Sequence, residues 1–266
     1  MKNFRWYTTL ETVKDELGIT DTTKDAMLSR QIARATDFIE QFTERTFIPV
    51  AATKLFDVPV EEPTTRLYLR DELLSVASLS DDSGPLNSLN YRLYPLNSAS
   101  KTWVQLIGQD SFTYSTSRYG AVAIDGLWGY FGETAETGTV LSTDVSSTAS
   151  TTITVSSGAA IKTGYSLLID TEQMFVSGIS GSTITVVRGN NGTTATTHLA
   201  STQVMRYVVP GVIELAASNL SGFWHLGKES GNIKSKQIGD FRVEYHKGYA
   251  VPDFVSKSLE QMRKRL

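Results

Sequence analysis

Two pairs of carboxylates are close enough in the sequence to be considered as acid–base pairs. Asp81 is followed directly by Asp82, and Asp170 lies two residues before Glu172. A hydrolase needs two carboxyl groups that face one cleft, and a strand places residues i and i+2 on the same face. The surrounding residues favour turns, because Ser-Gly-Pro follows Asp82 and because Asp170-Thr171-Glu172 is typical of a polar hairpin turn. A hydrolase stays an alternative only if Asp170 and Glu172 face a cleft.

The three histidines, His198, His225 and His246, follow neither metal-ligand spacing nor the pattern of a catalytic triad. We interpret His225 as a residue on a helix surface or at the edge of a core, and the other two as incidental. The chain has no cysteine, and it lacks the glycine-rich phosphate loop, the G-x-S-x-G elbow and the G-x-G-x-x-G fingerprint. The sequence therefore predicts that the protein is not an enzyme and that it holds no metal and no cofactor.

Length and composition describe an ordinary globular protein with enough residues for a large core. The chain has 266 residues, of which 40% are hydrophobic and 20% are charged. Its net charge of −3 argues against a surface that coats nucleic acid, although DNA could slide past such a surface without sticking. No stretch reaches 18 uninterrupted apolar residues and the first residues form no secretory signal, so we expect synthesis in the cytoplasm and no membrane partner.

The first predicted elements are two amphipathic helices joined by a tight turn. Thr8 and Glu11 form a capping box at the start of the first helix, and Gly18 is placed to end it. Asp21 or Thr22 is expected to cap the second helix. Its apolar residues recur at alternating steps of four and three, at Leu28, Ile32, Ala35, Ile39 and Phe42. Each helix is apolar on one side only, so each needs a partner from later in the chain or from another subunit.

A meander of short strands is predicted after these helices. β-Branched and aromatic residues alternate with polar ones over Thr53–Val58, Arg66–Leu69, Ser75–Ser80, Tyr91–Tyr94, Trp103–Ile107 and Ala121–Ile124. Turn signals rich in Gly, Pro, Asp and Asn separate these runs. Even spacing of short strands indicates an antiparallel arrangement, and the rings of Trp128 and Tyr130 are expected to plug its end.

From residue 139 onward the composition shifts towards Ser, Thr and Gly, and we interpret residues 139–206 as a small β module. Its predicted strands are Thr151–Val155, Ser166–Ile169, Met174–Ile179 and Ser182–Arg188. Its expected core consists of Ile153, Val155, Leu167, Ile169, Met174, Val176, Ile184 and Val186. Tyr165 and Phe175 are expected to lie exposed, where they could bind a neighbouring protein or a sugar. The module would be inserted into a parent domain of residues 1–138 plus 207–266.

Helical signals return at Pro210, from which a helix is predicted to run to Gly227. Its apolar positions at helical spacing are Val212, Leu215, Ala216, Leu220 and Phe223. A polar loop over 228–237, a strand over 241–245 and a last helix after Pro252 follow. The whole sequence predicts an α+β fold, in which terminal α-helices pack into a helical core that carries an antiparallel β meander and the small inserted all-β module.

The order of these segments resembles that of phage head–tail connector proteins, also called adaptor or head-completion proteins. The resemblance rests on Thr9–Lys14 leading to Gly18-Ile19, on Ile39–Thr43, on Pro210–Ile213, and on Ile238–Tyr245 followed by Pro252. It covers mainly residues 8–130 and 207–266. The β meander and the inserted module depart from the essentially helical form of the smaller family members.

The resemblance implies a structural virion protein that forms a homo-oligomeric, dodecameric ring under the portal vertex. Genomic DNA would pass through the centre of the ring without sequence-specific binding, and a stopper or tail-completion protein would bind the opposite side. The protein would lie at the head–tail interface of the virion and assemble in the host cytoplasm. A different class stays open, namely a carbohydrate- or protein-binding β module on a helical scaffold outside the virion.

Three sets of side chains are the candidates for these contacts. The basic last helix is a candidate portal contact through Phe254, Lys257, Leu259, Arg263, Lys264 and Arg265. The loop before it could line the channel or reach the next subunit through Lys228, Lys234 and Lys236. The polar side of the second helix is a candidate subunit–subunit contact through Arg30, Arg34, Glu40 and Glu44.

Overall fold

The structure is a computed structural model, which describes residues 4–60, 65–108, 111–229, 235–238, 241–244 and 251–264. For residues 228–229, 235–238 and 241–244 it describes the backbone alone. Within these ranges the four helices are α1 (Leu10–Leu17), α2 (Asp25–Thr43), α3 (Gly211–Glu229) and α4 (Asp253–Glu260). None of these four is long and apolar enough to cross a membrane.

The strands of the described residues form antiparallel sheets. They are β1 (Val50–Phe56), β2 (Arg66–Asp81), β3 (Gly84–Pro85), β4 (Tyr91–Tyr94), β5 (Lys101–Leu106), β6 (Val122–Trp128), β7 (Thr134–Val140), β8 (Thr152–Thr154), β9 (Ser166–Ile169), β10 (Glu172–Ser180), β11 (Thr183–Val187), β12 (Gln203–Tyr207), β13 (Ser235–Ile238) and β14 (Phe241–Glu244). Helices together with antiparallel sheets confirm the predicted α+β class. The structure contains more strand than the sequence predicted.

Contacts between residues group the chain into two compact units. The first unit consists of Met1–Glu44, Thr134–Asn190 and Thr194–Leu266, and therefore holds all four helices and the Ser/Thr-rich sheet. The second unit consists of Arg45–Glu133 and Asn191–Thr193, and holds the meander. The division into a parent domain and an inserted module stays a prediction.

Helix α1 begins one residue later than predicted. The side chain of Thr9, rather than that of Thr8, accepts a hydrogen bond from the backbone N–H of Thr12 at 3.1 Å. The predicted capping box is therefore wrong, because the carboxylate of Glu11 does not turn back to the helix start. Both its oxygens instead accept from the backbone N–H of Thr163 at 3.1 Å. Gly18 ends the helix as predicted, with a left-handed φ of 66°.

Helix α2 also begins later than predicted, because Asp21 stabilises a turn of its own. Its carboxylate accepts a hydrogen bond from the backbone N–H of Thr23 at 2.8 Å. The helix starts at Asp25 after Lys24, which makes no side-chain cap. The predicted apolar stripe is buried at Leu28, Ile32, Ala35 and Ile39, whereas Phe42 is only half-buried.

Helix α3 lies against α2, and it also contacts α1 and α4. Its buried side is rotated from the predicted one, because Ile213, Ala216, Ala217, Leu220 and Trp224 are buried while Val212 and Leu215 are exposed. It also continues past Gly227 to Glu229. The predicted polar loop over 228–237 is wrong in part, since 235–238 forms strand β13, which pairs with β14.

The Ser/Thr-rich sheet has the strand order β7-β12-β9-β10-β11-β8. All eight predicted core residues belong to its buried cluster, which also includes Leu141, Val145, Ile161 and Val204. The sequence missed β7, whose inward-facing residues include Thr137 and Thr139 rather than large apolar side chains. The hydroxyl of Thr137 donates to the backbone oxygen of Val204, which lets a polar residue point into the core.

The meander sheet of the second unit has the strand order β1-β6-β2-β5-β4, with β3 paired to β2. Two strands predicted over 66–69 and 75–80 are one long strand, β2, whose pairing shifts register at several points. The sheet buries Leu67, Leu69, Val104 and Ile124 on one face. Because side chains alternate along a strand, their neighbours in sequence point away from this core.

Candidate interaction surfaces

The N-terminal segment Phe4–Thr9 contacts the Ser/Thr-rich sheet through aromatic rings. The ring of Phe4 stacks on that of Phe175 at 5.5 Å between centroids, and Trp6 meets the same ring edge-on at 5.2 Å. The side chain of Asn190 bonds both the N–H and the C=O of Phe4, at 3.0 and 2.7 Å. The prediction that Phe175 is exposed is therefore wrong, because this segment covers it to 3% exposure.

The same segment contacts helix α2 through polar groups. The backbone N–H of Tyr7 donates to Thr36 Oγ1 at 3.1 Å. Glu40 accepts from the Arg5 guanidinium through both its oxygens, at 2.9 and 3.0 Å, and it also accepts from the Tyr7 hydroxyl. These bonds hold Glu40, a predicted subunit–subunit residue, inside its own chain.

The rest of the polar side of α2 is more open. Arg30 and Arg34 are both exposed. Glu44 forms an ion pair with Arg263 at 3.4 Å, in which both side chains stay about half exposed at 48% and 58%. The structure thus brings a predicted subunit–subunit residue next to a predicted portal-contact residue. Exposed pairs of this kind contribute about 0–1 kcal/mol.

Helix α4 presents only some of its predicted contact residues. Phe254 is 55% exposed and Lys257 is exposed, whereas Leu259 is fully buried within its own chain. Leu259 therefore anchors α4 to the rest of the protomer rather than offering a surface. The backbone N–H of Lys264 donates to the C=O of Thr43 at 2.8 Å. Arg265 lies outside the described residues.

The predicted channel lysines fall where side chains are not described. Lys234 lies outside the described residues, and Lys228 and Lys236 are described by their backbone alone. Lys228 belongs to the last turn of α3, and Lys236 belongs to strand β13. Their proposed role therefore stays a prediction.

An apolar stripe on α3 is the surface feature that the sequence analysis missed. Val212, Leu215 and Leu226 are 36%, 58% and 52% exposed. They lie on one side of the helix, because the turn of about 100° per residue places all three within about 60° of one another around the axis. The stripe was visible as helical spacing, but the spacing alone does not tell which of two apolar sides the protein covers.

The first carboxylate pair forms a turn, as predicted. Asp81 accepts from the backbone N–H groups of Ser83 and Thr113 at 2.9 and 2.8 Å. Asp82 accepts from the backbone N–H of Ser115 at 2.8 Å. Both carboxylates therefore fasten loops to the end of β2 and β3.

The second carboxylate pair also flanks a turn, but Glu172 lies at the centre of a buried ion-pair network. Arg188 binds both oxygens of Glu172, at 2.7 and 2.8 Å. The backbone N–H groups of Gly189 and Thr196 donate to the same carboxylate at 2.8 and 3.0 Å. The side chain of Glu172 is fully buried and that of Arg188 is 6% exposed. The network ties the loop after β11 to the β9–β10 hairpin.

His198 completes this network, so the interpretation of His198 as incidental is wrong. Its Nδ1 lies 2.7 Å from Asp170 Oδ2, and its Nε2 lies 2.9 Å from Glu172 Oε2. Each ring nitrogen therefore lies within hydrogen-bond distance of a carboxylate oxygen. Sequence reasoning missed His198 because 26 residues separate it from Glu172, and only the fold brings the two together.

The ion-pair network around Glu172 is arranged to stabilise the fold rather than to transfer protons. Burial raises the pKa of Glu172, but hydrogen bonds from Arg188, Thr196 and His198 outweigh it and lower the pKa from 4.5 to about 2. A general acid or base works best with a pKa near the working pH. Glu172 instead stays ionised with its oxygens occupied.

This low pKa predicts acid sensitivity. The folded-state pKa lies below the unfolded value, so the stabilisation is present above about pH 5 and is lost as the pH falls towards 2. We expect this group alone to lower the free energy of unfolding by about 3 kcal/mol across that range. Urea titrations at several pH values measure the loss. The variant Glu172→Gln should lack this part of the acid slope, and an unchanged slope would contradict the prediction.

Of the other two histidines, the structure describes the side chain of His225 alone. His225 is 1% exposed on α3, which excludes the helix surface and leaves the other predicted position, the edge of a core. His246 lies outside the described residues. Among the residues that the structure describes, no group of three or more His, Asp or Glu side chains is placed to hold a metal ion.

Comparison with known proteins identifies one family. Residues 7–77 match the family described as phage gp6-like head-tail connector protein. This segment includes α1, α2, β1 and the first part of β2, and the match confirms the connector resemblance there. The description of that family names proteins that connect phage head and tail, and the match covers this segment of the chain alone. Curated proteins gave no match.

Proposed function

We propose that the protein is a structural component of a tailed-phage virion that forms a ring between the capsid portal and the tail. The observation that carries this proposal is the match of residues 7–77, which contains both N-terminal helices, to the connector family. In this proposal the terminal helices form the scaffold of each subunit. The contacts of α3 with α1, α2 and α4 support that scaffold.

The surface of the helices supports assembly from identical subunits. The α3 stripe, Val212, Leu215 and Leu226, leaves apolar side chains in water that a neighbouring protein could cover. The exposed cations Arg30 and Arg34 lie on α2. In a ring the front of one subunit must complement the back of the next, and we assign Arg30 and Arg34 to that contact.

The two faces of the ring would bind different partners. We assign Phe254 and Lys257 of α4 to the portal side, together with the basic residues that follow them, and the opposite side to a stopper or tail-completion protein. The ring would be dodecameric, assemble in the host cytoplasm and let genomic DNA pass through its centre. Lysines 228, 234 and 236 would line that channel or reach the next subunit. The module of residues 139–206 would be an addition to this scaffold.

Charge reversal on α2 tests the assignment of the subunit contact. We expect the double variant Arg30→Glu, Arg34→Glu to stay folded but to lose ring assembly on the portal, by more than tenfold in the fraction assembled. Two exposed cations become two carboxylates, which repel the acidic partner groups of the next subunit. Light scattering and negative-stain electron microscopy with the portal protein of the same phage measure assembly, and circular dichroism measures folding.

The control for this experiment is Arg118→Glu, which reverses a charge in the second unit beside Tyr119. We expect it to assemble like the unaltered protein. Unchanged assembly of the α2 variant would reject the contact. An unaltered protein that stays monomeric even with its portal would reject the ring.

A further inference from the structure

The sheet of the second unit carries a row of aromatic side chains on the face that points away from its core. Tyr68, Trp103 and Tyr94 are directly opposite one another on the adjacent strands β2, β5 and β4. Their sequence neighbours Leu67, Val104 and Leu93 belong to the core on the other face. Tyr68 is 63% exposed. These three large rings lie on the face away from the core, so they do not contribute to that core. Clustered large aromatic side chains on an outer face indicate an interaction site.

A second row on the same face carries positive charge. Arg66, Gln105 and Arg92 are directly opposite one another on the same three strands. Arg70, two residues beyond Tyr68, is also exposed. The described residues of these two rows include no acidic side chain, and Asp71, which follows Arg70 on β2 and is 53% exposed, is paired with Lys54. The face is therefore positive, although the whole chain has a net charge of −3.

The rings are held in place by their own contacts. Tyr94 stacks on Trp103 at 4.1 Å between centroids, with 5° between the ring planes. The Arg66 guanidinium lies 4.2 Å from the Trp103 centroid, and it also donates to the Tyr68 hydroxyl at 3.2 Å. Because β5 lies between β4 and β2, Tyr94 and Arg66 approach Trp103 from opposite sides. Rings that are already ordered lose little entropy when a partner binds.

This arrangement discriminates between kinds of ligand. A nucleic-acid base or a sugar ring binds aromatic platforms by stacking on open ring faces. Trp103, in the middle of the row, is covered by Tyr94 and by Arg66, and of the three rings Tyr68 alone is exposed. A protein partner instead uses ring edges, hydroxyls and guanidinium groups, and Trp, Tyr and Arg are the residues enriched where protein interfaces are strongest. Arg92 is exposed, and one of its guanidinium N–H groups donates to the backbone oxygen of Tyr91. Its other guanidinium N–H groups can donate to a carboxylate.

We infer that this face, defined by Arg66, Tyr68, Arg92, Tyr94 and Trp103, binds an acidic segment of a partner protein. Carboxylates of the partner bind the guanidinium groups, and apolar side chains of the partner lie against the edges of the rings. The site belongs to the second unit alone and does not involve the candidate subunit contact on α2, so it does not depend on ring formation.

Selection from a yeast-displayed library of random 12-residue peptides tests the inference with the full chain as target. We expect the selected peptides to be enriched in Asp and Glu next to apolar residues. Arg92→Glu and Trp103→Ala should each weaken the strongest peptide at least tenfold. Arg118→Glu is the matched control, because Arg118 lies over Tyr119 at 4.6 Å in the same unit but outside this face. It should change binding less than twofold. Biolayer interferometry gives the affinities.

Thermal melting separates loss of binding from loss of folding. Arg92→Glu changes an exposed side chain on an edge strand, so it should melt like the unaltered protein even if Trp103→Ala does not. Peptides without acidic enrichment, or peptides that bind both variants normally, would overturn the inference. So would a 12-mer oligothymidylate that binds more tightly than any peptide and depends on Trp103. Self-association abolished by Arg92→Glu would assign the face to a second copy and would also overturn it.

Discussion

Replacing Glu172 with Gln is expected to lower the free energy of unfolding by about 3–5 kcal/mol. The substitution keeps the size of the side chain but removes the charge that neutralises Arg188, which is 6% exposed. An amide NH₂ would also replace an acceptor oxygen that faces the donors of Arg188, Thr196 and His198. Removing one partner of a buried ion pair leaves the other charge without a counter-charge. The free-energy cost of that buried, unpaired charge is larger than the net contribution of the ion pair to stability.

The matched control is Asp170→Asn on the other side of His198. The Asp170 side chain is 57% exposed, and its hydrogen bond to His198 is partly solvated. We expect this variant to lose less than about 1 kcal/mol. Urea denaturation followed by circular dichroism measures both changes, and amide hydrogen exchange shows whether β9 and β10 lose protection first. Equal losses in the two variants would contradict the central position of Glu172.

Replacing Tyr7 with Ala is expected to destabilise the first unit by about 3–5 kcal/mol. Tyr7 is 1% exposed, and its ring is among the largest fully buried side chains of the described residues. Its removal leaves a cavity against α2 and takes one of the hydrogen-bond donors from Glu40. Because Phe4 and Trp6 in the same segment cover Phe175, we also expect increased hydrogen exchange in β10.

Tyr7→Phe separates the cavity from the hydrogen bond. It keeps the ring and removes only the hydroxyl that donates to Glu40, so we expect a loss of about 1–1.5 kcal/mol. Arg5 still binds Glu40 in this variant. Thermal and urea denaturation of the two variants give the comparison. A Tyr7→Ala protein as stable as the Tyr7→Phe protein would contradict the prediction that the buried ring of Tyr7 stabilises the first unit.

Eight of the twelve buried residues in the core of the Ser/Thr-rich sheet could be predicted from the sequence. Strands such as Thr183–Val187 alternate between buried and outward positions, and alternation of side chains is a property of the single strand. The strand β7 could not be found in this way, because its inward side chains include threonines. Their burial depends on acceptors such as the backbone oxygen of Val204, which a distant strand supplies.

The four described helices were all predicted, but their first and last residues and the side that α3 buries were predicted less accurately. The start of α2 depends on whether Asp21 bonds the backbone of a turn or of the helix, and both choices are locally reasonable. The orientation of α3 depends on its neighbours, because the helix has apolar residues on more than one side. The structure covers the side with Ile213 and Leu220 and leaves Val212 and Leu215 in water.

The α+β class, most strands and the N-terminal helix pair could be predicted from the residues alone, and the order of these segments resembles that of connector proteins. The class, the strands and the helix pair follow from periodicity and turn residues, which act over a few neighbouring positions. Which side chains are exposed for binding a partner depends on the tertiary structure. It placed His198 beside Glu172, covered Phe175 with Phe4, buried Leu259 and aligned Tyr68, Trp103 and Tyr94 in one row. Such contacts join residues far apart in the chain, and their free energy depends on burial and register that no local pattern contains.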